Sequence, residues 1–135
     1  MTFEVFKSYF WVALGSVVGG TSRFWLSNVV AEKVGTVFPW GTIIINITGS
    51  FAIGVFYALT LPEGRLNTSR TLVTQLCMYG LCGGFTTFSS FSLQTLTLMR
   101  DKQWLWAGGN VAFSVVSCLL AVWLGFVLGE IINRL

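Results

Sequence analysis

Four apolar runs divided by short polar connections set the pattern of the chain. Each is about as long as the roughly 20 residues a helix needs to cross a bilayer. The first covers residues 9–30, with Tyr9 and Trp11 at one end and Trp25 near the other as interfacial aromatics. Gly15, Ser16, Gly19 and Gly20 give it a small face, on which Gly15 and Gly19 let a neighbouring backbone come close. A connection holding Glu32, Lys33, Gly35 and Pro39 leads to a second helix predicted over residues 41–61, which Pro62, Glu63 and Gly64 end. On it, Thr42, Asn46 and Gly49 recur at helical spacing and share one face. The third run covers residues 72–99 and the fourth residues 104–132, joined by a tight connection at Arg100, Asp101, Lys102 and Gln103. Ser114, Ser117, Ala121, Gly125 and Gly129 form a small-residue packing seam on the fourth. The expected fold is an all-α membrane protein, a single domain of four transmembrane helices over residues 1–135.

The third run is longer than a straight span requires, and its middle is the least helix-like part of any of them. Gly83 and Gly84 each cost about 1 kcal/mol against Ala in a helix. After them, Thr86, Thr87, Ser89, Ser90 and Ser92 are interleaved with Phe85, Phe88 and Phe91. Irregular backbone at bilayer depth survives only where protein or a water-lined cavity satisfies its N–H and C=O groups. A helix broken near Gly83 and facing a pathway is therefore expected. The phenylalanines, three residues apart, form a slowly drifting stripe on one side, with hydroxyls between them.

Composition agrees: 54% of the 135 residues are hydrophobic and 10% are charged, which excludes a soluble core. With no His, the chain offers no zinc spacing, no Ser/His/Asp set and no carboxylate pair, so no enzyme is expected. Cys77, Cys82 and Cys118 all fall in apolar runs and read as small hydrophobes rather than as a disulfide or metal site. The net charge of +3 does not point to nucleic acid, because the eight basic residues are scattered along the chain. The first run is expected to be retained rather than cleaved as a signal peptide, since Arg23 and Trp25 stand where a cleavage site needs small residues.

With both termini on one side, the basic residues divide evenly. Lys7, Arg65, Arg70 and Arg134 lie on the terminal side, and Lys33, Arg100, Lys102 and the nearby Arg23 on the other. Balance of this kind removes the bias that fixes orientation. A chain inserting both ways can pair with an inverted copy, the geometry of inverted repeats made from separate chains.

Taken together, Gly19-Gly20-x-x-Arg23, Gly41-Thr42-x-x-x-Asn46-x-x-Gly49 and Gly83-Gly84-Phe85-Thr86-Thr87-Phe88-Ser89-Ser90-Phe91-Ser92 resemble the Fluc/CrcB family of fluoride channels. The resemblance spans nearly the whole chain. It implies a dual-topology antiparallel homodimer in the plasma or inner membrane, multi-pass, that lets cytoplasmic fluoride leave passively. It also implies a structural sodium ion (Na+) at the dimer interface, held by backbone carbonyls that correspond here to Gly83 and Thr86. Phe88 and Phe91 match phenylalanines lining the fluoride path, and Asn46 matches its polar side chain.

The chemistry of these residues is compatible with that path. Fluoride is small and strongly hydrated, so N–H and O–H donors such as Asn46, Ser89 and Ser90 must replace its water. The electropositive edge of a phenylalanine assists an anion weakly. Ser117 is expected to add a pore hydroxyl. Each residue also has a plainer role open to it. Asn46 can simply bond two helices, Phe88 and Phe91 can pack, and the hydroxyls can bond back to helix carbonyls. Arg23 is either a headgroup anchor or part of an anion-attracting vestibule. The chain departs from the family pattern at Ser90, where Thr is common, at Gln94, where many members have Glu, and at Phe113, often polar. The alternative function is a proton-coupled small multidrug exporter, which needs a carboxylate inside the membrane. Glu4 precedes the first helix and Glu130 lies near the end of the fourth. A non-conducting assembly subunit would leave Asn46 beside a broken helix without a reason.

Overall fold

The structure, a computed structural model, describes residues 3–135. Among them there is no strand, and the order of elements follows the apolar runs. Helix α1 spans Phe3–Val34 and α2 spans Trp40–Leu59. The third run is assembled from α3 (Arg70–Val73), a π-helical stretch Thr74–Cys82, α4 (Gly83–Phe85) and α5 (Phe88–Arg100), and α6 (Trp104–Arg134) completes the chain. Helices α2 and α6 are both long and apolar enough to cross a membrane. Helix α1, 32 residues long, extends beyond the expected 9–30 at both ends and carries Glu4, Lys7, Arg23, Glu32 and Lys33 along its length.

Two tight crossings organise the bundle. Helix α2 lies along α6, and α1 lies along the π-helical stretch. Both crossings are built from glycines, because apolar side chains gain little from one another in lipid and close backbone packing must hold the helices. A Cβ on Gly54 would run into the Val122 carbonyl, one on Gly125 into the Phe51 carbonyl, and one on Gly129 would come within 2.6 Å of the Ala58 methyl. On the other crossing, a Cβ on Gly15 would stand 2.8 Å from the Gly80 Cα, and one on Gly80 would stand 2.9 Å from the Val12 carbonyl. Gln75 Nε2 reinforces that contact by donating to Ser8 Oγ at 2.8 Å. Asn133 ties the far end, donating to the Ala58 carbonyl at 3.0 Å and accepting from the Arg65 N–H at 3.1 Å.

The ends of the helices follow their punctuation. Gly35, at φ 80°, closes α1 in the left-handed conformation with its N–H on the Ala31 carbonyl. Pro39 precedes α2, and Lys102, at φ 60°, makes the tight turn into α6. The outer surface is strongly apolar: Phe24, Trp25, Leu105, Leu119, Trp123 and Leu124 are exposed, as expected of a surface solvated by lipid.

Candidate functional site

The break in the third run falls at Thr86–Thr87, three residues beyond the glycines expected to cause it. Gly83 is itself helical, at φ −64° and ψ −39°, whereas Thr86 turns out to ψ 159° and Thr87 to φ −152°. Gly84 serves close approach instead, while a Cβ on Gly83 would meet only the Met78 carbonyl at 3.7 Å. A Cβ on Gly84 would lie 2.8 Å from the Ser16 carbonyl, and one on Gly19 would lie 2.8 Å from the Phe85 N–H nitrogen. Helix α1 is thereby pressed directly against the last turn before the break.

Extended residues inside an apolar bundle leave backbone groups that must find partners. Asn46 supplies them from α2. Its Oδ1 accepts the Thr87 N–H at 2.8 Å and its Nδ2 donates to the Thr87 carbonyl at 3.1 Å, so one amide side chain satisfies both polar groups of one buried residue. The Thr87 N–H is the group that would otherwise bond the Gly83 carbonyl in a continued helix. Its capture by Asn46 leaves that carbonyl free of its helical partner. The Thr86 carbonyl, turned out of the helix, receives the Arg23 guanidinium at 3.3 Å. Arg23 follows Gly19 by about one turn of α1, so the close approach at Gly19 carries the guanidinium to this carbonyl.

Beyond the break, Thr87 restarts the chain as the N-cap of α5. Its Oγ1 accepts the Ser90 N–H at 3.2 Å, an N-cap bond that satisfies one of the first-turn donors. The Ser90 and Ser89 hydroxyls gather around the same oxygen at 3.0 and 3.2 Å. The hydroxyls of this stretch therefore form a cluster at a helix N-terminus, where the partial positive charge favours an anion.

An outward-facing cavity of about 560 Å³ runs past these groups. Asn46, Gly83, Thr86, Thr87, Phe88 and Phe91 line it, together with Ser114 and Cys118 from α6. Phe88 and Phe91 are paired within it, ring centroids 5.2 Å apart, yet they differ sharply in burial. Phe91 is 9% exposed and Phe88 is 77% exposed. No acidic residue lines the cavity.

The expected residues are thus brought together in large part. Asn46, Phe88, Phe91, Gly83 and Thr86 meet at the cavity, with Ser89 and Ser90 hydrogen-bonded to its wall at Thr87 and Arg23 behind Thr86. Ser117 is not among the lining residues; the hydroxyl that α6 brings to the cavity is that of Ser114. Phe113 stands exposed in a T-shaped contact with Trp40, ring centroids 6.2 Å apart.

A second polar assembly was not anticipated from the sequence. Asn110, only 1% exposed, donates to Thr95 Oγ1 at 2.8 Å and accepts from Ser114 Oγ at 3.3 Å. Thr95 donates in turn to the Phe91 carbonyl at 2.8 Å. Toward the α5–α6 connection, Gln94 Oε1 is buried without a protein partner, and its side chain borders a cavity of about 360 Å³ shared with Thr36, Thr97, Asp101 and Gln103. The available signal was Asn110 itself, an amide in an apolar run one turn before Ser114.

Comparison with known proteins places the chain in a family. The family described as CrcB-like protein, Camphor Resistance (CrcB), matches residues 10–126. A protein of Methylocella silvestris named fluoride-specific ion channel FluC is 56% identical over 127 residues, covering 94% of this chain and 96% of the relative. One of the same name from Paramagnetospirillum magneticum is 58% identical over 127 residues, covering 94% and 98%. Another from Rhodospirillum rubrum is 53% identical over 127 residues, with the same coverage of 94% and 98%.

Proposed function

We propose, from the premise that this chain belongs to the CrcB family, that it forms a fluoride-selective channel through which cytoplasmic fluoride leaves the cell passively. It is a membrane protein of an ion-channel family and not an enzyme. The observation that carries the reading is the cavity at the break, where Asn46, Phe88, Phe91 and Ser114 converge beside an N-terminal helical turn.

In this reading the fluoride path runs along the cavity. Asn46 commits one N–H to Thr87, and its second is left to donate to a passing ion. The Thr87, Ser89 and Ser90 hydroxyls can turn their protons toward the anion, and the α5 N-terminus adds a fixed favourable field. Phe88 and Phe91 present ring edges, which attract an anion without the hold of a buried ammonium that would slow release. Ser114, Asn110 and Thr95 continue the polar surface from the cavity toward Gln94 and the α5–α6 connection. Ser117 is left as a half-buried residue beside this line rather than a member of it.

A single chain leaves the path open on one side, since Phe88 and much of α6 are exposed. An antiparallel second copy would cover that side, and the near-even division of the basic residues, four against three with Arg23 held at the break, supports insertion in both orientations. The third run and α1 then cross with α2 and α6, giving a four-span, multi-pass protein of the cytoplasmic membrane. A structural sodium ion at the shared break suits the donor set, because the Gly83 carbonyl lacks its helical N–H and the Thr86 carbonyl is turned out of the helix. Carbonyl oxygens are the ligands a hard monovalent cation takes. Bound there, such an ion would join the two breaks electrostatically. Gly83 is exposed, as a carbonyl shared between copies requires. The multidrug-exporter alternative lacks its carboxylate, as no Asp or Glu lines the cavity.

The test is ion release from liposomes containing only this purified chain, loaded with potassium fluoride or potassium chloride and opened with a potassium ionophore. Rapid fluoride release with chloride retained is the expected result. Retention of both ions, or equal release of both, would overturn the assignment.

A further inference from the structure

Arg23 ends on the one carbonyl that matters most at the break. Its guanidinium donates to the Thr86 carbonyl at 3.3 Å, and among the described residues the single ion pair is Arg134 with Glu130, so no carboxylate neutralises Arg23. The contact is built by the backbone. Gly19 and Gly84 allow α1 to touch the last turn of α4, and a bulkier residue at either position would push Arg23 away from Thr86. The same carbonyl is one of the two oxygens assigned to the central cation above, on which this inference rests.

We infer that Arg23 is a positioning residue for that site: it holds the Thr86 carbonyl from within its own chain and sets how weakly the cation is bound there. A carbonyl oxygen has two lone pairs, so it can accept the guanidinium N–H and still face a second positive group. The two positive charges then stand within a few ångströms of each other across one oxygen, and like charges at that distance oppose one another. Arg23 therefore works in two directions. Without the cation it satisfies a carbonyl that the break would leave bare, and with the cation it weakens the hold. A headgroup anchor would have neither effect, and a residue that acted only through its positive field would weaken the cation without stabilising the sodium-free state.

The experiment follows the thermal stability of the purified dimer in detergent as sodium is titrated against N-methylglucamine, in the parent and in Arg23→Gln. Glutamine keeps a planar N–H donor and removes the charge. The half-saturating sodium concentration is expected to fall about tenfold or more in Arg23→Gln. In sodium-free buffer the variant is expected to be less stable than the parent. Arg23→Lys, which keeps the charge but lacks the fork and holds it more loosely, is expected to fall between the two, and it serves as the measured variant if Arg23→Gln does not assemble. A sodium midpoint unchanged or raised in the variant, with a parent that does respond to sodium, overturns the role of Arg23 alone. A parent dimer indifferent to sodium overturns the cation site and this role with it.

Discussion

Asn46 shows why a residue in such a site cannot be assigned by type alone. The amide that sequence offers equally as helix glue or as pore donor is doing the first of these visibly, bonding both polar groups of Thr87. Removing it strands a buried N–H and a buried C=O, at about 1–3 kcal/mol each. Asn46→Ala is therefore expected to lower the chemical-denaturation stability by about 2–6 kcal/mol. Asn46→Asp keeps the acceptor for the Thr87 N–H but loses the donor to its carbonyl and puts an ionisable acceptor in the cavity. It is expected to retain more of the fold than Asn46→Ala while losing fluoride flux, and parental flux would remove Asn46 from the path. The phenylalanines separate more cleanly because their burial differs. Phe91, packed in the core, is expected to lose about 1 kcal/mol on change to Leu. Phe88 is exposed in the chain, so Phe88→Leu is expected to stay within about 0.5 kcal/mol of the parent in monomer stability. Any loss of flux in folded Phe88→Leu dimers then reports on the ring edge, and flux equal to the parent would place the anion elsewhere.

Among the helices, periodicity located the segments well and their orientation less well. The break was legible as a region because a run of hydroxyl residues follows two glycines. Its position was misplaced because helix propensity suggested the glycines, whereas Gly84 is packed on α1, Gly83 beside it stays helical and the chain turns at Thr86. Facing on α6 was the harder case. That helix is apolar all round, so no polar side marks which residues turn inward, and Ser114 and Ser117 are equally plausible until α2 and α5 are in place. On α1 the small face was read as four residues, but the structure divides it. A Cβ on Gly15 or Gly19 meets backbone of the third run, whereas one on Gly20 meets nothing within 4 Å. Gly20→Ala is accordingly expected to be neutral or to stabilise by about 0.5–1 kcal/mol through helix propensity. Gly15→Ala is expected to cost about 1–3 kcal/mol, since backbone rather than a movable side chain must give way. Thermal unfolding of the two variants in detergent checks the pair, and equal effects would mean that α1 and the π-helical stretch do not cross at Gly15.

For the whole molecule the decisive quantity is one that no single helix holds, the distribution of charge between its two ends. With Arg23 held at the break, four basic residues would stand toward the termini and three toward the other side in the proposed four-span arrangement, and the acidic residues contribute little to orientation, so neither direction of insertion would be strongly favoured. The cavity, meanwhile, is open along a face carrying Phe88 and exposed apolar residues of α6, a face that a second chain would cover in the proposed dimer. Both observations support the arrangement proposed above, a pair of copies inserted in opposite senses and joined at the break. If so, C-terminal tags are expected on both sides of the membrane in the same cells. Two lysines added within the connection Asp101–Gln103 should tip the balance and force one orientation, since a few charges next to a short loop are enough to do so. The biased chain should then insert normally, fold as a monomer, and lose fluoride efflux. Lysines placed instead near Arg65 should bias a second chain the other way and lose efflux equally. Co-expression of the two should restore it, because only together do they supply both orientations. Full efflux from either biased chain alone would mean that copies in a parallel arrangement suffice, and the antiparallel pairing would have to be abandoned.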